Sequence, residues 1–281
     1  PSITLLAAHS AGTIYAMNLL SSLPELFNSS QSTKRTIVPK LTLFAPWVHQ
    51  SISSVASLQA AALLPNPLLD HWDTICGFMA SGSGATALGA SSGALSSVSS
   101  FLTFPSSFSH SLAKQKIREN EEEEQKCQDA CGHGIVLKKA LGEAVMRFVF
   151  AENTQGGNDE ARLCLKSVSP PISCDWGACE SYPLFISRLQ DMFPATPVSE
   201  AEAEAQGGVR QKLKVSLVFA GTDAMIGSKG RTYLEKCWAT EKVGQGIIVD
   251  VKVVEGTNHD SVVDPIFGAM GDMLRDAKRG E

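Results

Sequence analysis

The stretch that decides the fold is Ile3-Thr4-Leu5-Leu6-Ala7-Ala8-His9-Ser10-Ala11-Gly12, which runs straight into Thr13-Ile14-Tyr15-Ala16-Met17-Asn18-Leu19-Leu20. Ile3 to Ala8 is short, apolar and uncharged, as expected of a parallel strand covered on both faces. Ile14, Met17 and Leu20 then recur at helical spacing, and polar residues followed by Pro24 close the helix. The order is strand, tight turn, helix. A second apolar run, Leu41 to Ala45, stops at Pro46, and the roughly 30 residues between the runs allow the helical crossover that parallel strands require. The pattern returns near the end of the chain. Leu213 to Ala220 reads as a strand ahead of Gly221-Thr222-Asp223, with a helix predicted over 230–240. Ile247 to Val254 reads as another, ahead of Glu255-Gly256-Thr257-Asn258-His259, with a closing helix predicted over 262–277. Strands alternating with helices imply an α/β protein, with a mostly parallel sheet flanked by helices.

Between these two regions the regularity breaks. Short amphipathic helices are predicted over 52–64, 68–79, 136–150 and 183–193, so residues 50–209 read as a large, mainly helical insertion between core segments 1–49 and 210–281. Within it, residues 80–100 are rich in Gly, Ser and Ala, side chains too small to offset the entropy of ordering, and read as a mobile loop. The block Arg118 to Lys126 reads as a solvated helix face or linker.

Composition narrows the function classes. A chain of 281 residues, 43% hydrophobic and 19% charged, can bury a full core. A formal charge of -5 leaves no basic stripe for a phosphate backbone, so nucleic acid is not expected as a partner. Seven cysteines, an odd number in a chain of ordinary domain size, read as reduced thiols. Residues 74–113 lack charge, but no 18-residue apolar block lies within them, so no transmembrane helix is expected. The first residues already read as a strand, which puts any targeting segment upstream of Pro1 and leaves the cytoplasm as the default location.

The chemistry concentrates at three residues. Ser10 lies between a buried strand and a helix, with the small residues Ala8 and Gly12 two positions to either side, a G-x-S-x-G-like pattern with Ala in the first small position. Such a turn holds the serine in a strained conformation with its hydroxyl projecting, and small flanking residues are expected where strand and helix approach. The competing reading is an ordinary helix N-cap. Asp223 and His259 each follow the carboxyl end of a strand, where open α/β sheets carry their functional groups. Asp260 is the alternative acid, set aside as an N-cap or surface carboxylate. Cys127-x-x-x-Cys131-Gly-His133 lacks a second ligand pair at suitable spacing, so no metal site is expected.

On these motifs, and on the chain order serine, aspartate, histidine, residues 1–49 and 210–281 resemble the C-terminal half of an α/β-hydrolase fold protein, beginning at its elbow strand. The resemblance implies a partial α/β-hydrolase fold with residues 50–209 as its cap or lid. It implies Ser10 as nucleophile, His259 as general base and then acid, Asp223 as the residue orienting the imidazole, and the Ala11 N–H as an oxyanion donor. His9 and Trp47 are expected at the substrate pocket, with packing the competing reading for each. The implied activity is cleavage of a carboxylic ester or related acyl bond through an acyl-enzyme, on a small to medium apolar acyl substrate, with neither metal nor organic cofactor. A serine at the elbow argues against the dehalogenase and epoxide-hydrolase branches, which use aspartate there. In the family roughly a hundred residues, including the loop with the second oxyanion donor, precede the elbow strand. A missing N-terminal half or a partner chain is therefore expected to complete the sheet. The alternative function is a truncated, non-catalytic hydrolase-like chain acting as a binding module. A flavodoxin-like or nucleotide-binding domain has less support, because neither G-x-G-x-x-G nor a P-loop follows any strand.

Overall fold

The computed structural model describes residues 5–23, 38–64, 66–69, 71, 110–151, 155–166, 168–169, 172–173, 176–177, 180–194, 212–239 and 243–279. In chain order its elements are β1 (Leu5–His9), α1 (Gly12–Ser22), β2 (Lys40–Phe44), α2 (Gln50–Ser53), α3 (Ala56–Ala62) and α4 (Asn66–Leu69). There follow α5 (His110–Cys131), α6 (Ile135–Ala151), α7 (Gln155–Leu165), a small antiparallel pair β3 (Val168–Ser169) and β4 (Ile172–Ser173), and α8 (Tyr182–Met192). The chain ends with β5 (Leu213–Ala220), α9 (Gly227–Cys237), β6 (Ile247–Val254), two 3-10 turns and α10 (Ala269–Arg279).

The main sheet has four parallel strands in the order β1-β2-β5-β6. Its register aligns Leu6, Leu41, Val215 and Val249 across the strands, and because paired residues share a face, one face is almost wholly apolar. Leu41, Leu43, Leu213, Val215, Leu217 and Phe219 of that face are buried in one core with Met17 and Leu20 of α1, Phe185 and Leu189 of α8, and Leu234 of α9. The opposite face carries Lys40, Thr42, Lys214, Ser216, Asp250 and Lys252. There α10 is fastened by charge: Asp276 pairs with Lys214 at 2.8 Å and Lys40 at 3.6 Å, and Asp272 with Lys252 at 2.6 Å. Two uneven faces correct the expectation that β1 is covered on both. Among the described residues β1 pairs with β2 alone, and Ala7 is exposed.

Elsewhere the departures have local causes. The helix predicted over 52–64 divides into α2 and α3 because Ser54 takes a left-handed φ of 55°. The closing helix predicted over 262–277 begins only at Ala269, after the turns Ser261–Val263 and Pro265–Phe267. Pro265 has no N–H to donate and Gly268 sits at φ 80°, so helical hydrogen bonding restarts there. The charged block is helical, within α5, with Glu121, Glu122, Glu123 and Glu124 exposed. Most of the helix expected over 68–79, and the low-complexity stretch 80–100, lie outside the described residues. Among those residues no helix is long and apolar enough to cross a membrane.

Candidate active site

Ser10 directly follows β1 and lies in the left-handed region, at φ 53°. A non-glycine residue pays about 1 kcal/mol for that conformation, and the surrounding bonds enforce it. The Ser10 N–H donates to the Phe44 carbonyl at 3.0 Å, continuing the pairing of β1 with β2, while the Ser10 carbonyl accepts from the Thr13 N–H at 3.0 Å and the Thr13 hydroxyl at 2.7 Å. The chain turns from β1 into α1 across two residues, Ser10 and Ala11. Ala11 occupies the N-cap position and makes no side-chain cap bond, so the N-cap reading of Ser10 fails and its hydroxyl is left for another partner. The small residues beside the turn are less constrained than expected. A Cβ on Gly12 would meet the Ala8 Cβ at 4.0 Å, ordinary van der Waals contact.

Asp223 and His259 stand on two loops laced together. The Gly221 N–H donates to the Val254 carbonyl at 2.9 Å, and the Thr222 N–H and hydroxyl donate to the Thr257 carbonyl at 2.9 and 3.1 Å. The Thr257 hydroxyl, itself buried, donates to the Val254 carbonyl at 2.6 Å. This lacing brings the two loops close at Gly221, where a Cβ would stand a tight 3.2 Å from both the Glu255 Cα and the Gly256 nitrogen. Sequence reasoning did not single out Thr222 and Thr257, although the repeated Gly-Thr after each strand was their visible signal.

These loops and the β1 turn bring three side chains into one chain of hydrogen bonds. His259 Nδ1 lies 2.9 and 3.1 Å from the two carboxylate oxygens of Asp223, and its Nε2 lies 2.7 Å from the Ser10 hydroxyl oxygen. Because a carboxylate only accepts, Nδ1 carries the proton, which leaves Nε2 to accept from the Ser10 O–H. His259 is 3% exposed. Burial pushes the Asp223 carboxyl upward, but the hydrogen bond and charge of His259, with the Ile226 and Met225 N–H groups donating at 2.8 Å each, outweigh it and hold the group below the usual carboxylate range. Asp223 is therefore an anion at neutral pH, fixed in orientation by two backbone donors. Chemically, this arrangement can draw the proton from the Ser10 hydroxyl and stabilise the imidazolium that results. The N–H of Ala11, at the positive end of α1 and next in the chain to Ser10, makes no hydrogen bond among the described residues.

The other expected residues fall differently. Trp47 is 3% exposed, its indole N–H donates to the Cys164 carbonyl at 3.2 Å, and its carbonyl accepts from the Tyr182 hydroxyl at 2.9 Å. It packs with Ile14, Leu58, Cys164 and Trp176, so it is a core residue and does not form the floor of a pocket. Against that cluster lie the partly exposed Ala11, Val55, Leu163 and Met225, the first following Ser10 and the last two positions beyond Asp223. His9 is half-buried, and its Nε2 lies 2.8 Å from the His259 carbonyl oxygen. Burial lowers its pKa, against the raising effect of that bond. Asp260 is exposed, and the turn it begins is instead tied by Asn258, whose Oδ1 accepts from the Asp260 and Ser261 N–H groups at 3.1 and 2.9 Å. Cys127 and Cys131 are free thiols.

No family model matches this chain, and neither a curated protein nor a solved structure matches it significantly. The site is thus defined by its own geometry.

Proposed function

We propose that the chain is a serine hydrolase of the α/β-hydrolase type, cleaving a carboxylic ester through an acyl-enzyme on Ser10. The observation that carries this reading is the 2.7 Å approach of the Ser10 hydroxyl to a buried imidazole whose far nitrogen is held by a largely buried carboxylate. As Ser10 Oγ attacks the ester carbonyl carbon, its proton passes to His259 Nε2. The new oxyanion meets the Ala11 N–H. Collapse breaks the bond to the alcohol oxygen, which takes the proton from Nε2 and leaves. Water then gives a proton to Nε2 and attacks the acyl carbon, and the carboxylic acid departs as Ser10 regains its hydrogen. Asp223 stays ionised throughout. The apolar side chains Ala11, Val55, Leu163 and Met225 suit a small to medium apolar acyl group over a charged one.

The competing reading, a non-catalytic binding module, draws on β1, which among the described residues is the edge of the sheet. An edge strand leaves a row of unpaired backbone groups, and the resemblance puts a second oxyanion donor beyond it. A panel of p-nitrophenyl esters of increasing acyl length separates the two. Hydrolysis with a burst and an acyl adduct on Ser10 in intact mass spectra supports the hydrolase; a folded chain that forms neither product nor adduct supports the binding module.

A further inference from the structure

We propose that His9 is a positioning residue that holds His259 in register with Ser10, a role whose catalytic consequence rests on the hydrolase reading. His9 and Ser10 are adjacent, so their side chains leave the end of β1 in different directions. Both nevertheless reach His259, one at each end. The Ser10 hydroxyl meets ring nitrogen Nε2 at 2.7 Å, and the His9 ring meets the backbone carbonyl at 2.8 Å. A carbonyl only accepts, so His9 Nε2 carries a proton and donates it.

The position of this bond explains its value. Before His259, the Thr257 carbonyl is tied to Thr222; after it, Asn258 gathers the Asp260 and Ser261 N–H groups. The His259 carbonyl and the Asp260 N–H are the two ends of one planar peptide, held at the N–H by Asn258 and at the carbonyl by His9. Without the His9 bond that peptide is pinned at one end only, by the 3.1 Å contact with Asn258, and can tilt about it, carrying the imidazole away from Ser10 while the Thr222 bonds stay intact. Because His9 ends β1 and Ser10 follows it directly, the bond ties the His259 backbone to the chain that carries the nucleophile.

His9 is unsuited to passing protons to His259. Its ring centroid is 5.2 Å from that of His259, with the planes at 45°, and its donor nitrogen is committed to a carbonyl, so it does not relay a proton between the rings. The titratable groups that face it are His259, Asp260 and Asp223. A charged His9 would sit close to the imidazolium that catalysis creates and oppose it, so the role calls for the neutral ring.

The test uses His9→Phe, which keeps the ring and loses the donor, and His9→Gln, whose amide nitrogen extends about as far as the imidazole Nε2. Two readouts are taken on the purified chain: the far-downfield proton resonance of the Asp223–His259 hydrogen bond, and ester kinetics with fluorophosphonate labelling of Ser10. His9→Phe is expected to broaden that resonance and to lower kcat and the labelling rate about 10- to 100-fold with KM unchanged. His9→Gln restores all three toward wild type. If His9→Phe does not fold, His9→Asn, whose shorter amide falls short of the carbonyl, replaces it in the comparison with His9→Gln. A wild-type resonance and rate in the donor-less variant overturns the proposal, as does a change in KM alone. A wild-type protein that is never labelled sinks the hydrolase reading, and the resonance then still decides whether His9 positions His259.

Discussion

Replacing Ser10 by glycine and, separately, by alanine measures the turn without relying on any activity. Both changes delete the hydroxyl and its 2.7 Å bond to His259, so that loss cancels in the comparison. What remains is the backbone. At an ordinary position with negative φ, glycine is less stable than alanine by about 0.5–1 kcal/mol, because its unfolded chain has more freedom to lose. At φ 53°, alanine instead carries the clash between Cβ and carbonyl oxygen, about 1–2 kcal/mol that glycine escapes. At the middle of both ranges the difference reverses the order and puts Ser10→Gly above Ser10→Ala by about 0.75 kcal/mol. For a domain of this size that is roughly 1–4 °C in the midpoint of thermal unfolding. Matched calorimetric scans of the two variants read it directly. Ser10→Ala unfolding at the higher temperature would mean that residue 10 is not left-handed, and the account of how its hydroxyl is presented would fail.

Asp223→Asn exchanges an acceptor for a group that can donate, which favours the wrong imidazole tautomer while keeping the shape of the site. Ester hydrolysis and Ser10 labelling are expected to fall by about 10⁴ with little change in stability, as rate measurements and a thermal scan will show. Two glycines should respond in opposite ways. Gly246→Ala drives a Cβ into the Phe193 carbonyl and should cost about 1–3 kcal/mol, whereas Gly12→Ala meets only the Ala8 Cβ at 4.0 Å and should be neutral or slightly stabilising in urea titrations. His9 predicts a pH dependence. Its folded pKa lies below the ordinary value of 6.5, so on acidification the unfolded chain takes up the proton first; stability is full above that pH and is lost as pH falls toward the folded value. The wild-type thermal midpoint should decline over that window more steeply than that of His9→Gln, with the residual slope carried in part by His49, which burial also lowers.

Much of this was legible in the chain because each element carried its own signal. β5 and β6 have the bounds their apolar runs imply, Leu213–Ala220 and Ile247–Val254, since Gly221 and Glu255-Gly256 punctuate them. The meeting of Ser10, Asp223 and His259 follows from three strand ends pointing the same way in one parallel sheet. The His9 bond spans 250 positions and joins a side chain to a backbone carbonyl, a pairing that no periodicity encodes. Trp47 looked available because it follows a strand end, yet Ala45 turns back at φ 40° and sends the next residues into the core. The break at Gly268 was hidden for another reason: the apolar spacing of 262–277 continues across it, and only Pro265 disagrees.

The measurement closest to the central claim is labelling of the whole chain by a fluorophosphonate probe, with Ser10→Ala and His259→Ala alongside. Phosphonylation of Ser10 needs a nucleophile activated by its neighbour, and it needs no guess at the natural substrate. The account predicts one probe per chain, placed on Ser10 by peptide mapping, absent in Ser10→Ala and nearly absent in His259→Ala. A folded chain that takes no probe, or one labelled equally after His259→Ala, would contradict it.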